Sequence, residues 1–302
     1  FRQVAHELDP SKTPMQVLAE LQTDHPAPDQ LLGKFQDTFN NLIQFIRAKR
    51  IVTIPSDVQP TLENTPPFMR ATTFASMDSP GAYETGSHKA YFNVTVPSSN
   101  ETPQQIDERM AAFNIGTIVS TSVHEAYPGH YIQFLFMPRI HSRVRKMIYS
   151  TTNVEGWAHY CEQMMLDEGY GQPGWGAKNA REAKLIRLGQ LEDALLRDAR
   201  FLVGIKMHTG QMTMAQAVDF FHEEGYQTRA TGEVETKRGT SDPTYLYYTL
   251  GKLMILKLRA DVQKKEGAAF SLKKFHNDFL LQGGVPLPIV RRALLGDDSP
   301  VL

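Results

Sequence analysis

The chain has 302 residues, of which 41% are hydrophobic and 22% are charged, so it can bury a large core and is not expected to be disordered. Its formal net charge of −1 provides no overall positive field for nucleic acid or anionic lipid, so neither is an expected partner. The single cysteine excludes an intrachain disulfide and a metal site built from several cysteines.

The sequence carries no membrane or export signal. No apolar run approaches the roughly 18 residues of a spanning helix, and no basic-then-apolar segment opens the chain. The first residue is Phe1 rather than methionine, so we expect the chain to be a portion of a longer protein. The compartment, whether cytoplasmic, periplasmic or secreted, and the oligomeric state are left open.

Helix signals run through most of the chain. Residues 1–50 are expected to form an N-terminal helical portion, and helices are predicted to begin at Thr13 and Thr102. Each of these threonines precedes a proline and stands three residues before a glutamine, a pattern that satisfies the free amides of a helix start. Further helices are predicted to begin at Thr213, Asp242 and Ser271.

Leucines recur at helical spacing between residues 177 and 208, which predicts one long helix or two helices joined near Gly189. Residues 89–96 alternate between the two faces of a strand and are rich in β-formers, so a strand or short hairpin is expected there. The segments 54–67 and 77–88 are rich in turn-forming residues and are predicted to be irregular. The predicted fold class is mainly α.

A short motif near the middle of the chain contains two histidines and a glutamate. It runs His-Glu-Ala-Tyr-Pro-Gly-His from His124 to His130. Six residues turn an undistorted helix by about 600°, which would leave the two imidazoles about 120° apart around its axis. Pro128 lacks an amide proton and Gly129 tolerates unusual backbone angles, so we predict a distorted turn that brings both imidazoles to one metal ion. The alternative is that Pro128 and Gly129 simply end a helix and neither histidine binds a metal.

The helix predicted after this motif carries three more possible ligands on one face. Glu155, His159 and Glu162 fall within about 60° of one another around the helix axis. We predict Glu155 as the third metal ligand, with His159 and Glu162 as alternatives. The two that do not bind the metal would orient the imidazoles or contact the substrate. An ordinary solvated helix face is the competing interpretation.

Two imidazoles and one carboxylate leave a fourth position open, which is typical of catalytic Zn²⁺. We therefore predict a zinc-dependent hydrolase in which Glu125 takes a proton from a zinc-bound water. Its expected substrates are peptides or other amides. A second donor to the substrate oxyanion is also needed, and the candidates on distant segments are Tyr245, Tyr248, His208 and Arg238.

Together, His-Glu-x-x-Pro-Gly-His and the Glu-Gly-Trp-Ala-x-Tyr-x-Glu that starts at Glu155 resemble the bacterial DUF885 family, which is grouped with the Glu-zincin metallopeptidases. The resemblance covers roughly residues 80–296. It implies a zincin-like helical fold. From the turn-rich segments we expect residues 1–76 to form an N-terminal helical segment and irregular linker, and residues 77–302 to form the zincin-like catalytic domain. The strand at residues 89–96 would line the cleft and pair with an extended substrate.

The resemblance also implies roles for individual residues. His124, His130 and Glu155 would be the zinc ligands, Glu125 the base, and Tyr248 would face the cleft. Tyr131 stands where many relatives carry a further histidine, so no role of that histidine is transferred.

The resulting hypothesis is a zinc metallopeptidase. One alternative is a non-catalytic zincin-like binding or structural module that holds no metal or no productive water. Another is a zinc amidase or esterase that acts on non-peptide substrates, because its chemistry would use the same residues.

Overall fold

A computed structural model describes residues 1–70, 73–84, 89–98 and 100–302. The described residues form a mainly α-helical fold with a small sheet, as the sequence predicts. In chain order the α-helices are α1 (Arg2–Leu8), α2 (Pro14–Gln22), α3 (Leu31–Lys49), α4 (Pro103–Ala111), α5 (Ile115–Glu125), α6 (His130–Phe136), α7 (Arg143–Met147), α8 (Thr151–Asp167), α9 (Ala180–His208), α10 (Met214–Glu223), α11 (Arg229–Ser241), α12 (Tyr247–Glu266), α13 (Leu272–Leu280) and α14 (Leu287–Leu295). The strands are β1 (Thr61–Asn64), β2 (Ala75–Asp78), β3 (Tyr91–Val94), β4 (Gln172–Pro173) and β5 (Gly176–Ala177).

The helix starts predicted from local caps are confirmed. The side chains of Thr13, Thr102 and Thr213 each accept a hydrogen bond from the backbone amide three residues on, and the glutamine there bonds back to the threonine amide. Ser271 caps α13 in a similar way through the amide of Lys274. One start is wrong, because Asp242 accepts from the amide of Thr244 in a turn and α12 begins only at Tyr247.

The leucine-rich segment is one continuous helix, the 29-residue α9. Gly189 does not divide it, because this glycine lies where α9 crosses α5. A Cβ atom built on Gly189 would be 2.7 Å from the Cα atom of Gly116 on α5. Close backbone packing therefore explains the glycine. None of the described helices, α9 included, combines the length and the apolarity that a membrane span requires.

Helices α8 and α12 cross through a second glycine pair. A Cβ atom on Gly156 of α8 would be 2.5 Å from the Cα atom of Gly251 on α12. The α8 helix also packs against α5 and α9. The two glycine contacts thus bring the helices that carry the predicted ligands close to α9 and α12.

The strand predicted at residues 89–96 is β3, and it is the central strand of a three-stranded sheet. β1 pairs with β3 in parallel and β2 pairs with it antiparallel, so Phe92 lies opposite both Leu62 and Met77. The predicted pairing of this strand with a substrate is therefore wrong, since both of its edges are occupied by protein. Strand β1 lies within the segment 54–67 and β2 ends within the segment 77–88, so those segments are not entirely irregular; residues 85–88 lie outside the described part of the chain.

The N-terminal helices share a core with the rest of the chain. Aromatic rings of Phe35 and Phe39 on α3 pack against Phe92 of β3, and Phe39 also contacts Tyr127 of the histidine motif. These contacts join residues on both sides of the boundary expected after residue 76, which falls inside β2. The division of the chain at that point stays a prediction.

Candidate metal centre

A tight turn joins the two histidine-bearing helices. Helix α5 ends at Glu125 and α6 begins at His130. The amide of Gly129 donates to the carbonyl of Val123 over 2.9 Å. A Cβ atom on Gly129 would lie only 1.7 Å from the carbonyl oxygen of His124, so no other residue fits there without moving the backbone.

The turn is also fixed from α8. The indole Nε1 of Trp157 donates to the carbonyl oxygen of Pro128 over 3.0 Å, and the peptide bond between Tyr127 and Pro128 is cis. Trp157 is fully buried. The helix break predicted at Pro128 and Gly129 is therefore present, and a buried side chain of the neighbouring helix holds it.

The break brings the two imidazoles together over Glu155. The ring centroids of His124 and His130 are 4.8 Å apart and the rings are perpendicular. One carboxylate oxygen of Glu155, Oε2, is 3.4 Å from the Nε2 atom of each ring. The ligand atoms of these three residues all lie within 4.8 Å of one another. The structure thus assembles the three residues that the sequence predicts as metal ligands.

The donor set fits a divalent cation. Ligand atoms that are about 2.0–2.2 Å from a tetrahedral metal lie roughly 3.3–3.6 Å from one another, and the observed 3.4 Å falls in that interval. Glu155 Oε2 is buried and has no hydrogen-bond partner among the described residues. A buried carboxylate oxygen without a hydrogen bond, equidistant from two imidazole nitrogens, is an arrangement that a shared cation would satisfy.

Glu162 and His159 lie behind the ligands rather than among them. Glu162 Oε1 is 2.6 Å from Nδ1 of His124, and its Oε2 is 3.0 Å from Nδ1 of His159. A proton on Nδ1 of His124 is thereby held by a carboxylate, and Nε2 is the nitrogen that faces Glu155 and would bind a metal ion. Arg197 of α9 approaches Glu162 to 3.3 Å and compensates its buried charge.

The pKa values follow from burial and from the close charges. Burial lowers the pKa of His124, but the carboxylates of Glu155 and Glu162 outweigh it and raise that pKa to about 10. Burial would raise the pKa of Glu155, yet the imidazoles of His124 and His130 hold it well below its usual range. Burial lowers the pKa of His159 to about 4 and keeps that ring neutral.

Glu125 has the opposite shift to Glu155. Burial raises its pKa, and the charges of His124 and His130 only partly offset the effect. A carboxylate whose pKa is raised accepts a proton more readily at neutral pH than an exposed carboxylate does. Glu125 is therefore electrostatically suited to the predicted role of a base.

Of the four candidates for a second donor, Tyr248 is the one that contacts a ligand residue. Its ring centroid is 6.2 Å from that of His124. The guanidinium groups of Arg197 and Arg200 each lie 5.6 Å from the ring centroid of Tyr248, which is partly buried. Tyr248 thus stands beside the ligands in a position supported by two cations.

Tyr245 and Arg238 instead belong to a second cluster between α9 and α11. The buried Tyr245 hydroxyl donates to the carbonyl of Glu235 over 2.9 Å and also contacts the Glu235 carboxylate, which forms a two-point ion pair with Arg200. The Arg238 guanidinium lies 5.4 Å from the ring centroid of Tyr245. Tyr245 precedes the first residue of α12, and this is why it faces a different core from Tyr248.

His208 is also placed away from the ligands. It is the last residue of α9, it is exposed, and its Nε2 atom is 2.9 Å from the carbonyl oxygen of Gly239 on α11. The ring is thus bonded to a backbone group of the neighbouring helix. This contact joins the ends of two helices, and a role of His208 towards a substrate stays a prediction.

Two residues near the site were not predicted. Arg197 is one, and its only local signal is Asp193 four residues earlier, which does not reveal the approach of α9 to Glu162. Tyr149, just before α8, is the other. Desolvation, followed by the charges of Glu155 and Tyr248, raises the pKa of Tyr149 to about 12.

The fold and the site define a mainly α-helical protein with a buried His-His-Glu group that could hold a metal ion. The family described as "Bacterial protein of unknown function (DUF885)" matches residues 1–294, and the chain belongs to this family. The family match begins at residue 1, whereas the resemblance based on motifs begins only at about residue 80. None of the curated proteins compared with the sequence matches it.

Two solved structures have a similar fold. One is described as a putative lipoprotein of unknown function from Shewanella oneidensis; it is 28% identical, has a TM-score of 0.83, and the alignment covers 97% of this chain and 53% of that one. The other is described as the putative lipoprotein from Colwellia psychrerythraea, with 22% identity, a TM-score of 0.79, and coverage of 97% and 49%. The chain therefore spans about half the length of these structures.

Proposed function

We propose that this protein is a zinc-dependent hydrolase that cleaves peptide amide bonds. The observation that carries the proposal is the position of Glu155 Oε2, 3.4 Å from Nε2 of both His124 and His130, with Glu125 next in sequence to the first of these histidines. Three ligands and an open fourth position are typical of catalytic rather than structural zinc. The single cysteine agrees with this choice, since Cys161 is buried elsewhere on α8 and adds no sulfur ligand.

When bound, zinc would lower the pKa of a water to about 7 and polarise the substrate carbonyl. Glu125 would accept the proton of the attacking water and donate it to the leaving amine, which suits a carboxyl whose pKa burial has raised. Glu162 would keep the His124 ring in one tautomer and orientation through the 2.6 Å contact with Nδ1.

Tyr248 would donate its hydroxyl hydrogen to the substrate oxygen on which negative charge develops. The neighbouring Arg197 and Arg200 favour this, because cations beside the phenol stabilise negative charge nearby. A single donor of this kind is worth about 10²–10³ in kcat.

The test combines metal analysis with a peptide panel. We expect the protein to bind one equivalent of zinc and to hydrolyse internally quenched peptides. The Glu125→Gln variant should keep the zinc and lose at least about 10³-fold in kcat. Glu223→Gln is the matched control, because this glutamate is exposed on α10.

Two results would redirect the proposal. Zinc uptake without hydrolysis of any peptide, ester or simple amide would favour the non-catalytic binding module. Hydrolysis confined to esters or non-peptide amides, and lost in Glu125→Gln, would favour the amidase or esterase alternative. Equal activity of Glu125→Gln and the wild type would contradict every version of the mechanism in which Glu125 is the base.

A further inference from the structure

A cavity of about 490 Å³ lies beside α6, the helix that begins with the ligand candidate His130. Its wall consists mainly of apolar groups, contributed by α6 and by the loops on either side of the sheet. Six of the residues that line it are Val58, Gly81, Tyr131, Phe134, Leu135 and Arg139. A volume of this size and an apolar lining are usual for a site that binds an organic group.

One aromatic ring contacts both the cavity and a residue of the candidate metal centre. Phe134, one helical turn after His130, stacks on the His130 ring with an interplanar angle of 15° and a centroid distance of 5.8 Å. The same Phe134 lines the cavity. Since successive Cα atoms of a peptide are about 3.8 Å apart, a residue one or two positions from a bond held at His130 can reach the space beyond this ring.

Hydrogen bonds hold the cavity open. The Tyr131 hydroxyl donates to the carbonyl of Val58 over 2.6 Å, and Nη2 of Arg139 donates to the carbonyl of Pro55 over 2.9 Å. Both bonds join α6 and the residues after it to the loop that precedes β1. These bonds link the walls of the cavity even when no ligand is bound. Less conformational entropy is therefore lost when a ligand binds.

We propose that this cavity binds one large apolar side chain of the substrate, such as that of phenylalanine or leucine, next to the bond that is cleaved. This inference rests on the proposed function and adds a substrate class to it: peptides with a bulky apolar residue at one defined position near the scissile amide. Removal of such a side chain from water onto aromatic and aliphatic walls should raise kcat/KM about 10- to 100-fold over alanine at the same position.

Filling the cavity should abolish this preference. Gly81 lies on its wall, its backbone is outside the left-handed region, and a Cβ atom there would meet no atom within 4 Å. Gly81→Phe therefore adds bulk without backbone strain, and Leu135→Trp fills the cavity from α6. Gly33→Phe is the matched control, since Gly33 on α3 is exposed and equally free of neighbours.

The first measurement is kcat/KM for paired peptides that carry phenylalanine or alanine at each position around the cleaved bond. The wild type and Gly33→Phe should prefer phenylalanine at one position by about 10- to 100-fold. In Gly81→Phe and Leu135→Trp the ratio should approach one. An undiminished ratio in both filling variants would overturn the proposal.

The second measurement does not depend on hydrolysis. Ligand-observed NMR would follow N-acetyl-phenylalanine amide and N-acetyl-alanine amide with the wild type, Glu125→Gln and the filling variants. We expect the first probe, and not the second, to bind the wild type and Glu125→Gln, and to be lost from the filling variants. Binding with this pattern but no peptide hydrolysis would reject the proposed function and retain the apolar site, whereas no binding of the phenylalanine probe would reject the site.

Discussion

Gly129 is the residue that allows the two imidazoles to converge. Its Cα hydrogen points at backbone carbonyls, and a Cβ atom would stand 1.7 Å from His124 O and 2.4 Å from Val123 O. Neither oxygen can move freely, because both belong to the last turn of α5. The position of the first candidate ligand, His124, thus depends on the missing side chain of a residue outside the candidate ligand set.

Gly129→Ala should therefore either unfold the site or move His124. We expect a loss of more than about 4 kcal/mol in the free energy of unfolding, or loss of high-affinity zinc binding, measured by chemical denaturation and by competition with a chromophoric chelator. Gly33→Ala is the control and should be neutral or stabilising by up to about 1 kcal/mol, as for a solvent-facing helix position. A Gly129→Ala protein with normal stability and zinc affinity would contradict the described turn.

Glu162 would act on a bound metal through its contact with His124. Removal of its negative charge by Glu162→Gln should weaken zinc binding about 10- to 100-fold, because the Nδ1 hydrogen bond that fixes the ring loses its charged acceptor. Zinc affinity is measured by chelator competition, alongside a denaturation curve, since Arg197 also loses a partner. Asp167→Asn, on the exposed side of the same helix, should leave the affinity unchanged. Unaltered zinc affinity in Glu162→Gln would show that His124 needs no support from Glu162.

At the scale of elements, predictions succeeded where the information is local. The capping threonines and the Pro128-Gly129 break are short-range signals, and the periodicity of α8 suffices to put Glu155 and Glu162 on one face. The strands β1 and β2 have four residues each and depend on their pairing with β3, so no short pattern distinguishes them from loops. The approach of Arg197 to Glu162 is likewise a property of how α9 packs.

The crossing of α8 and α12 is a further packing feature that local sequence patterns do not predict, and it affects the position of Tyr248. A Cβ atom on Gly251 would lie 2.0 Å from the carbonyl oxygen of Thr152 on α8. Tyr248 is one turn earlier on α12, so the separation of these helices controls the distance between Tyr248 and the ligands. The glycine is visible in the sequence, but its partner on α8 is not.

Gly251→Ala should therefore reduce kcat more than it reduces zinc affinity. All three candidate ligands lie on α5, α6 and α8, whereas Tyr248 lies on α12. We expect a stability loss of about 1–3 kcal/mol from overpacking and a fall in kcat of at least about tenfold. Gly204→Ala in α9 is the control, because its nearest neighbour would be 3.4 Å away. A larger effect on zinc affinity than on kcat would contradict this division between the helices.

At the scale of the whole molecule, His276 joins the C-terminal helices to the N-terminal part. Its Nδ1 is 2.8 Å from the carbonyl oxygen of Ile51, and its Nε2 is 2.9 Å from the Tyr160 hydroxyl of α8. These two partners indicate that the His276 ring is neutral, donates a hydrogen bond from Nδ1 to the Ile51 carbonyl and accepts one at Nε2 from the Tyr160 hydroxyl. Burial lowers the pKa of His276 to about 3, below the value of about 6.5 expected in the unfolded chain.

The stability that this ring contributes should disappear in acid. Between pH 6.5 and 3 the unfolded chain binds a proton that the folded chain excludes, so the contribution is complete above pH 6.5 and is lost as the pH falls towards 3. We expect a loss on the order of 1 kcal/mol per pH unit between about pH 6 and 4, measured by urea denaturation. His276→Gln should be less stable at pH 7 but should depend less on pH, whereas His141→Gln, at an exposed position, should keep the wild-type slope. An unchanged slope in His276→Gln would assign the acid sensitivity to other groups.

The ligands come from three helices, so a metal bound at this site should stabilise the whole fold. His124, His130 and Glu155 lie at the end of α5, at the start of α6 and in the second turn of α8, and they do not meet in an unfolded chain. Free zinc at about 100 times its Kd should add about 2.7 kcal/mol to the free energy of unfolding. For a domain of this size we expect the Tm to rise by several degrees with zinc and to fall again with a chelator.

Two variants distinguish zinc bound by His124, His130 and Glu155 from zinc bound elsewhere on the protein surface. Glu155→Gln should lose the zinc-dependent increase in Tm, because it removes the carboxylate that lies 3.4 Å from both imidazoles. Glu125→Gln should keep most of that increase, since Glu125 is outside the three-residue group that could hold the ion. If both variants responded to zinc as the wild type does, the ion would be bound elsewhere, and the proposed hydrolase would lose its metal centre. The opposite pattern, with stabilisation lost only in Glu125→Gln, would exchange the roles assigned to the two carboxylates.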